Sequence, residues 1–421
     1  QYLGGLHYLS LVSPVGFEEN LNINPKRVLT YVAPIYIAIG PVYWFLFLPL
    51  TIFSLAKYAL AGLIIGSAIY FGANEWFRDR EFIRGSGVSL ILGIIFLSLP
   101  GMYFSQSEFS VGVLSRYLLL MGLLISIYWL SKEDEFLQRV PMAIAAVMIP
   151  MCMITVADFL LNLGLMSVDG FNRLYATGFS TSRTQWSGGL VSLGIFMMWC
   201  FIMTKQLRRY LFLAAFVMII LSQISSGGRG GTLACLLGVI ALLIYYKKYM
   251  VILVGIASAF TFAIAFADQL FAHLRFDRLE AGSNASSDFS SGRLEQYGLA
   301  FDLIDSPLAL LFGLGPKGYE AAFANMGIDF EIHNVWLRLF IEYGLFVPVF
   351  ILFFFLSTMY SAVTENKNNK EAMGLVIILL AGMFTTLVEP NAIIFSYQNY
   401  LCWWLLFIVI KRNAVKGFIK S

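Results

Sequence analysis

Residues 29–73 read LTYVAPIYIAIGPVYWFLFLPLTIFSLAKYALAGLIIGSAIYFGA, and Lys57 is the one charged side chain in the run. A helix rises about 1.5 Å per residue, so about 20 apolar residues cross the hydrocarbon core of a bilayer. The run therefore holds two spans, which its length divides near residue 51. The rest of the chain has the same character: 59% of its 421 residues are hydrophobic and 13% charged, against roughly a quarter charged in soluble domains. That composition excludes a soluble enzyme. It predicts an all-α polytopic membrane protein, one transmembrane domain over 1–421 with no separate catalytic domain.

Apolar stretches fall at 30–50, 52–73, 87–104, 111–130, 141–165, 186–204, 210–225, 231–246, 249–270, 335–363, 372–389 and 393–410, which predicts about 12 transmembrane helices. With both termini in the cytoplasm, alternate loops lie on opposite faces, and the basic residues follow that division. About 18 of the 28 Lys and Arg fall inside, in clusters such as Arg78, Arg80 and Arg84, or Lys205, Arg208 and Arg209. Seven fall outside: Arg173, Arg183, Arg229, Arg275, Arg278, Arg293 and Lys317. Positive charge kept on the translocated side needs a reason, and holding an anion is the simplest. The net charge of +3 reflects basic cytoplasmic loops and gives no pointer to nucleic acid. Cys152, Cys200, Cys235 and Cys402 sit in apolar runs without metal spacing and read as small buried hydrophobes. Residues 1–28 lack a signal-peptide pattern, and because the chain opens on Gln1 rather than Met, a natural start upstream is expected.

One outside connection dominates, the large periplasmic loop 271–333 between spans 9 and 10. Ser290 and Ser291 are N-cap candidates for a helix running from Arg293 to Ile304, and Leu294, Tyr297, Phe301 and Ile304 recur at helical spacing. This is an amphipathic helix resting on the bundle or the membrane surface, ended by Pro307. Gly313 to Gly318 then turns into a second short segment, 319–326.

Three outside features carry chemistry. His333 opens the stretch His333-Asn334-Val-Trp-Leu-Arg338 at the outer face, where an imidazole can take a proton near neutral pH. Taken alone it reads first as an interfacial histidine bonded to Asn334 or a lipid headgroup. Arg229 lies in the turn Ser225-Ser-Gly-Gly-Arg-Gly-Gly231, where glycines let an anion approach backbone N–H groups at a helix start. A guanidinium there suits a phosphate; a tight helical turn with a snorkelling arginine is the other reading. Arg183 sits in the hydroxyl-rich run 177–186 as a third basic group, or as a solvated loop residue. Arg275 and Arg278 beside the membrane suit lipid phosphates. Arg338 and Glu342, four apart, form a structural ion pair. Asp158, an intramembrane carboxylate, is a functional candidate without an assigned role.

No Walker spacing, His-Glu-x-x-His or paired Cys-x-x-Cys occurs, so neither ATP nor a metal is expected to drive the chemistry, and no cofactor is called for. Asn284-Ala-Ser286 matches a glycosylation sequon too short to weigh.

The order Ser-Gly-Gly-Arg229-Gly-Gly, Ser-Gly-Arg293, Gly-Leu-Gly315 and His333-Asn334 with Gly344 resembles the O-antigen polymerase and O-antigen ligase superfamily over roughly 175–360. The resemblance implies a GT-C-related fold and an inverting, metal-independent glycosyltransferase of the bacterial inner membrane, its active site facing the periplasm. It implies that Arg229 and Arg293 hold the diphosphate of an undecaprenyl-diphosphate-linked oligosaccharide donor, and Arg183 is expected to join them as a third basic group. His333 is then the catalytic base and Asn334 a supporting residue. The first outside loop has no Asp or Glu, where typical GT-C enzymes carry an essential acid, so by this resemblance the base comes from elsewhere, which strengthens His333.

The run 177–186 resembles exopolysaccharide and O-antigen polymerases, and Val347 stands where many ligases carry Gly, Thr or Tyr. A polymerase of lipid-linked repeat units is therefore the leading expectation, with glycan acceptor, membrane lipids and a chain-length regulator protein as partners. The alternative is an O-antigen ligase that moves the glycan onto lipid A-core. A lipid-linked sugar transporter would place its ionisable groups at the bilayer midplane rather than at one face. A scaffold in a polysaccharide assembly complex would have no need of the arginines.

Overall fold

The computed structural model describes residues 25–42, 50–76, 82–104, 110–161, 163, 178–180, 182–265, 293–327, 332, 334–387 and 400–419. Among these residues every regular element is helical. In order they are α1 Pro25–Ala38, α2 Leu50–Trp76, α3 Phe82–Gly85, α4 Val88–Phe104, α5 Ser110–Leu130, α6 Asp134–Leu161, α7 Arg183–Met203, α8 Arg209–Ser225, α9 Arg229–Tyr245 and α10 Tyr249–Ala265. Then come α11 Arg293–Asp302, α12 Pro307–Phe312, α13 Gly318–Asn325, α14 Val335–Tyr343, α15 Phe346–Asn366, α16 Lys370–Phe384 with a 3-10 turn Thr385–Leu387, and α17 Leu401–Lys411.

Among the described residues six stretches are long and apolar enough to cross a membrane: Ile52–Gly72, Gly112–Leu130, Asp134–Leu161, Arg183–Met203, Phe346–Asn366 and Lys370–Leu387. Shorter apolar helices follow at Val88–Tyr103, Arg209–Ser225, Arg229–Tyr245 and Leu401–Lys411. The chain is thus a polytopic all-helical membrane protein. The long run that opens the sequence divides at a turn after Ala38, and Lys57 has a job there. Its Nζ donates to the carbonyls of Gly40 at 3.0 Å and Val42 at 2.8 Å, groups that the end of α1 leaves without helical partners.

α7 is the hub, with 83% of its apolar window buried. Lipid tails are as apolar as leucine, so helices in a bilayer associate through close packing rather than hydrophobic exclusion, and small residues permit it. A Cβ on Gly194 would lie 3.0 Å from Cys235 Sγ of α9, and one on Gly238 of α9 would lie 2.4 Å from Ile195 Cδ1. Residue numbers rise together across these pairs, so α7 and α9 run parallel. α16 closes on the same pair: a Cβ on Gly238 would come 2.7 Å from Ala381, and one on Gly382 would come 2.4 Å from the Trp403 ring of α17. All four cysteines are buried and free.

The apolar stretch 335–363 is not one helix. Gly344 adopts φ +71° and splits it into α14 and α15, its N–H bonding to Phe340 O at 2.8 Å. Gly313, at φ +75°, ends α12 in the same way, bonding to Ala309 O at 2.8 Å. The two capped ends interlock through main chain: Leu314 N–H to Ile341 O at 2.8 Å, Gly315 N–H to Glu342 O at 2.9 Å, and Leu345 N–H to Leu310 O at 3.0 Å. A Cβ on Gly344 would stand 2.1 Å from Leu311 O, and one on Gly101 of α4 would stand 2.3 Å from Phe312 O. Three backbones meet where only glycine fits.

Gly344→Ala is therefore expected to destabilise this junction by roughly 3 kcal/mol or more, combining left-handed strain with overpacking. Thermal unfolding in detergent and protease cleavage within 313–327 would both report it. Gly112→Ala, where a Cβ meets nothing within 4 Å, is the matched control and should be near neutral.

Within the large loop, the described helices correct the expected boundaries. α11 stops at Asp302 rather than Ile304. Pro307 does not end it but starts α12 at the first helical position, where its missing N–H costs nothing, after Ser306 as N-cap accepting from Ala309 N at 3.2 Å. Tyr297, Ala300 and Ile304 pack on Tyr319, Phe323, Ile332, Leu337 and Ile341 in a small second core. Phe301, counted in the apolar stripe, is 54% exposed and only tilts against the Phe340 ring at 6.1 Å. Residues 271–292 and the side chain of Leu294 lie outside the described residues.

Candidate active site

Two of the five expected site residues, Arg183 and Arg229, are brought together. Arg183 is the first residue of α7, after Ser182, whose extended backbone and hydroxyl cap the helix by accepting from Gln185 N at 3.2 Å. Arg229 is the first residue of α9, after Gly227 at φ +65° and Gly228. Because α7 and α9 run parallel, their starts lie at the same end of the bundle, and here they touch main chain to main chain. A Cβ on Gly228 would stand 2.2 Å from Ser187 Cβ and 3.1 Å from Arg183 O, and one on Gly231 would stand 2.4 Å from Ser187 Oγ. Gly228 and Gly231 are thus required by close approach, and the Ser187 hydroxyl donates to Gly228 O at 2.8 Å across the contact.

Each helix start carries roughly half a unit of positive charge and exposes N–H groups lacking helical partners. Two such ends side by side, each headed by an arginine, make a concentrated positive site that can hold an anion with more than one acceptor, such as a diphosphate. Arg183 is half-buried and Arg229 exposed.

The start of α14 is tied to the same pair. Asn334 caps α14, its Oδ1 accepting from Leu337 N at 3.0 Å, and its Nδ2 donates to Leu387 O at 3.3 Å. Trp336 Nε1 donates to Thr386 Oγ1 at 2.9 Å in the same 3-10 turn, which also touches α9. Asn334 is therefore engaged on both ends of its amide in fixing where α14 begins. His333 lies outside the described residues, and so does the side chain of Arg293, whose backbone opens α11.

Other polar residues sort themselves. Arg338 and Glu342 form the expected pair, Nε to Oε1 at 2.9 Å, both buried. Burial pushes the Glu342 carboxyl above the usual carboxylate range, and the Arg338 guanidinium draws it back down. The pair extends to Glu320 Oε1, 3.9 Å from Arg338 Nη2, while Lys317 Nζ lies 2.9 Å from Glu320 Oε2. Lys317, one of the seven outside basic residues, thus belongs to an ion network joining α13 to α14 rather than to the anion site. Asp158 is buried near the end of α6.

Residues that sequence reasoning passed over hold the site in place. Trp186 Nε1 donates to Ser222 Oγ of α8 at 2.9 Å, and Gln223 Nε2 donates to Ser187 O at 2.8 Å. Their signal in the sequence is weak: Trp-Ser-Gly-Gly after Arg183, and Ser-Gln just before the glycine turn, read as ordinary small and polar residues of a packed bundle.

No curated protein matches the chain. Residues 214–354, from within α8 to within α15, match the family described as O-Antigen ligase. The match includes the Arg229 turn, α11 to α14 and the Gly344 junction. Over that third of its length the chain is similar to the O-antigen ligase family.

Proposed function

We propose that the protein is a bacterial inner-membrane glycosyltransferase that polymerises undecaprenyl-diphosphate-linked repeat units at the periplasmic face. The observation that carries this reading is the pair of arginine-headed helix starts, Arg183 and Arg229, locked together at one end of the bundle. In this reaction an acceptor hydroxyl attacks the anomeric carbon from the side opposite the leaving group. His333 takes the hydroxyl proton as the new glycosidic bond forms. The bond between the anomeric carbon and the diphosphate oxygen breaks, its electron pair stays on the departing diphosphate, and Arg183, Arg229 and Arg293 stabilise the charge that develops there. Positive groups fixed before the reaction stabilise that charge without reorganising, which is why arginines on helix starts suit the task. Asn334 supports the base by fixing the start of α14.

The family description favours a second reading, a ligase that transfers the finished lipid-linked glycan to lipid A-core. Donor chemistry is shared, and only the acceptor differs. Mass spectrometry of polyprenyl-linked glycans from cells lacking the protein separates the two. Accumulation of single repeat units is expected for a polymerase, whereas long lipid-linked chains would identify a ligase. An unchanged pool would overturn both readings.

A further inference from the structure

We propose that Ser187 and Gln223 are positioning residues that set Arg183 and Arg229 at one height, so that both act on the same diphosphate. The inference rests on the reading of those arginines given above. Ser187 sits one turn into α7, between α8 and α9. Its hydroxyl donates to Gly228 O at 2.8 Å, and that carbonyl also accepts from Thr232 N at 3.1 Å and Thr232 Oγ1 at 3.0 Å. Gly228 C=O belongs to the peptide unit whose nitrogen is that of Arg229. Three donors on one carbonyl therefore fix the plane from which Arg229 departs.

The opposite side of Ser187 is fixed as firmly. Gln223 Nε2 donates to Ser187 O at 2.8 Å, and Gln223 is fully buried. Among the described residues its Oε1 finds no donor. A buried amide with an orphan oxygen is a poor adhesive, and a residue serving helix contact alone would be apolar. What Gln223 supplies is a directional bond that sets the height of Ser187, and through it the register of α7 against α9. Small displacements matter here because an anion shared by two helix starts needs both at once, and a shift of about 1 Å can cost about a hundredfold in rate.

The test uses the full chain in proteoliposomes with a polyprenyl-diphosphate-linked repeat unit as donor. Ser187→Ala and the near-isosteric Gln223→Met should each raise the donor KM about tenfold, with thermal unfolding within about 2 °C of wild type. In an Arg183→Ala/Arg229→Ala background, either change should add less than about twofold, because it acts through groups already removed. An unchanged KM in both variants, or equal losses in the two backgrounds, would overturn the positioning role. Two variants are used so that a folding failure in one leaves the other to decide. The underlying reading fails separately, if the arginine double variant itself keeps the wild-type kcat/KM.

Discussion

Replacing His333 by alanine is expected to lower kcat for glycosidic bond formation by about 10²- to 10⁴-fold, the range lost when a positioned general base is removed. Donor KM should change little, because the base contacts the acceptor hydroxyl and not the diphosphate. The pH profile provides a second readout. Histidine titrates at about pH 6.5 when unperturbed, and only its neutral form accepts a proton. Wild-type kcat/KM should therefore fall as pH drops through that region, and the fall should vanish from the residual activity of His333→Ala. A variant that keeps both the rate and the acid limb would remove His333 from the chemistry and leave the anion site without a base.

The second large effect concerns the paired helix starts. Arg183→Ala or Arg229→Ala alone is expected to reduce kcat/KM by about 10²- to 10³-fold, as for loss of one donor to a charge that develops in the transition state. Because both residues head adjacent helices and serve one anion, the double variant should lose less than the product of the two single losses. Strict multiplication would place the two arginines on separate ligands. Lys317→Ala should leave kcat/KM within about threefold of wild type, since Lys317 is held by Glu320 at 2.9 Å and exposed pairs of this kind contribute little.

Hydropathy made the helices legible, because a bilayer core imposes one length and one polarity on whatever crosses it. Each apolar stretch contains a described helix, and six of the helical stretches qualify as spans by length and composition. The Arg338–Glu342 pair was legible from its four-residue spacing. The break at Gly344 was not, because apolar residues continue on both sides of it and the reason for the break is the approach of Leu311 O, from a helix well before it in the chain. Of the site, the turn around Arg229 and the cap ahead of α14 could be located from residue type. Their meeting with Arg183 could not, since the contact depends on Ser187 fitting against two glycines of another helix, and tertiary packing of that kind leaves no periodic trace.

The most direct test of the account is equilibrium binding of undecaprenyl diphosphate to the purified protein in lipid nanodiscs, measured for wild type and for Arg183→Ala/Arg229→Ala. Wild type is expected to bind saturably and in preference to undecaprenyl monophosphate, with an affinity lower by at least about a hundredfold in the double variant. Equal affinity in the two proteins, with both folded, would contradict the assignment of the paired helix starts as the diphosphate site.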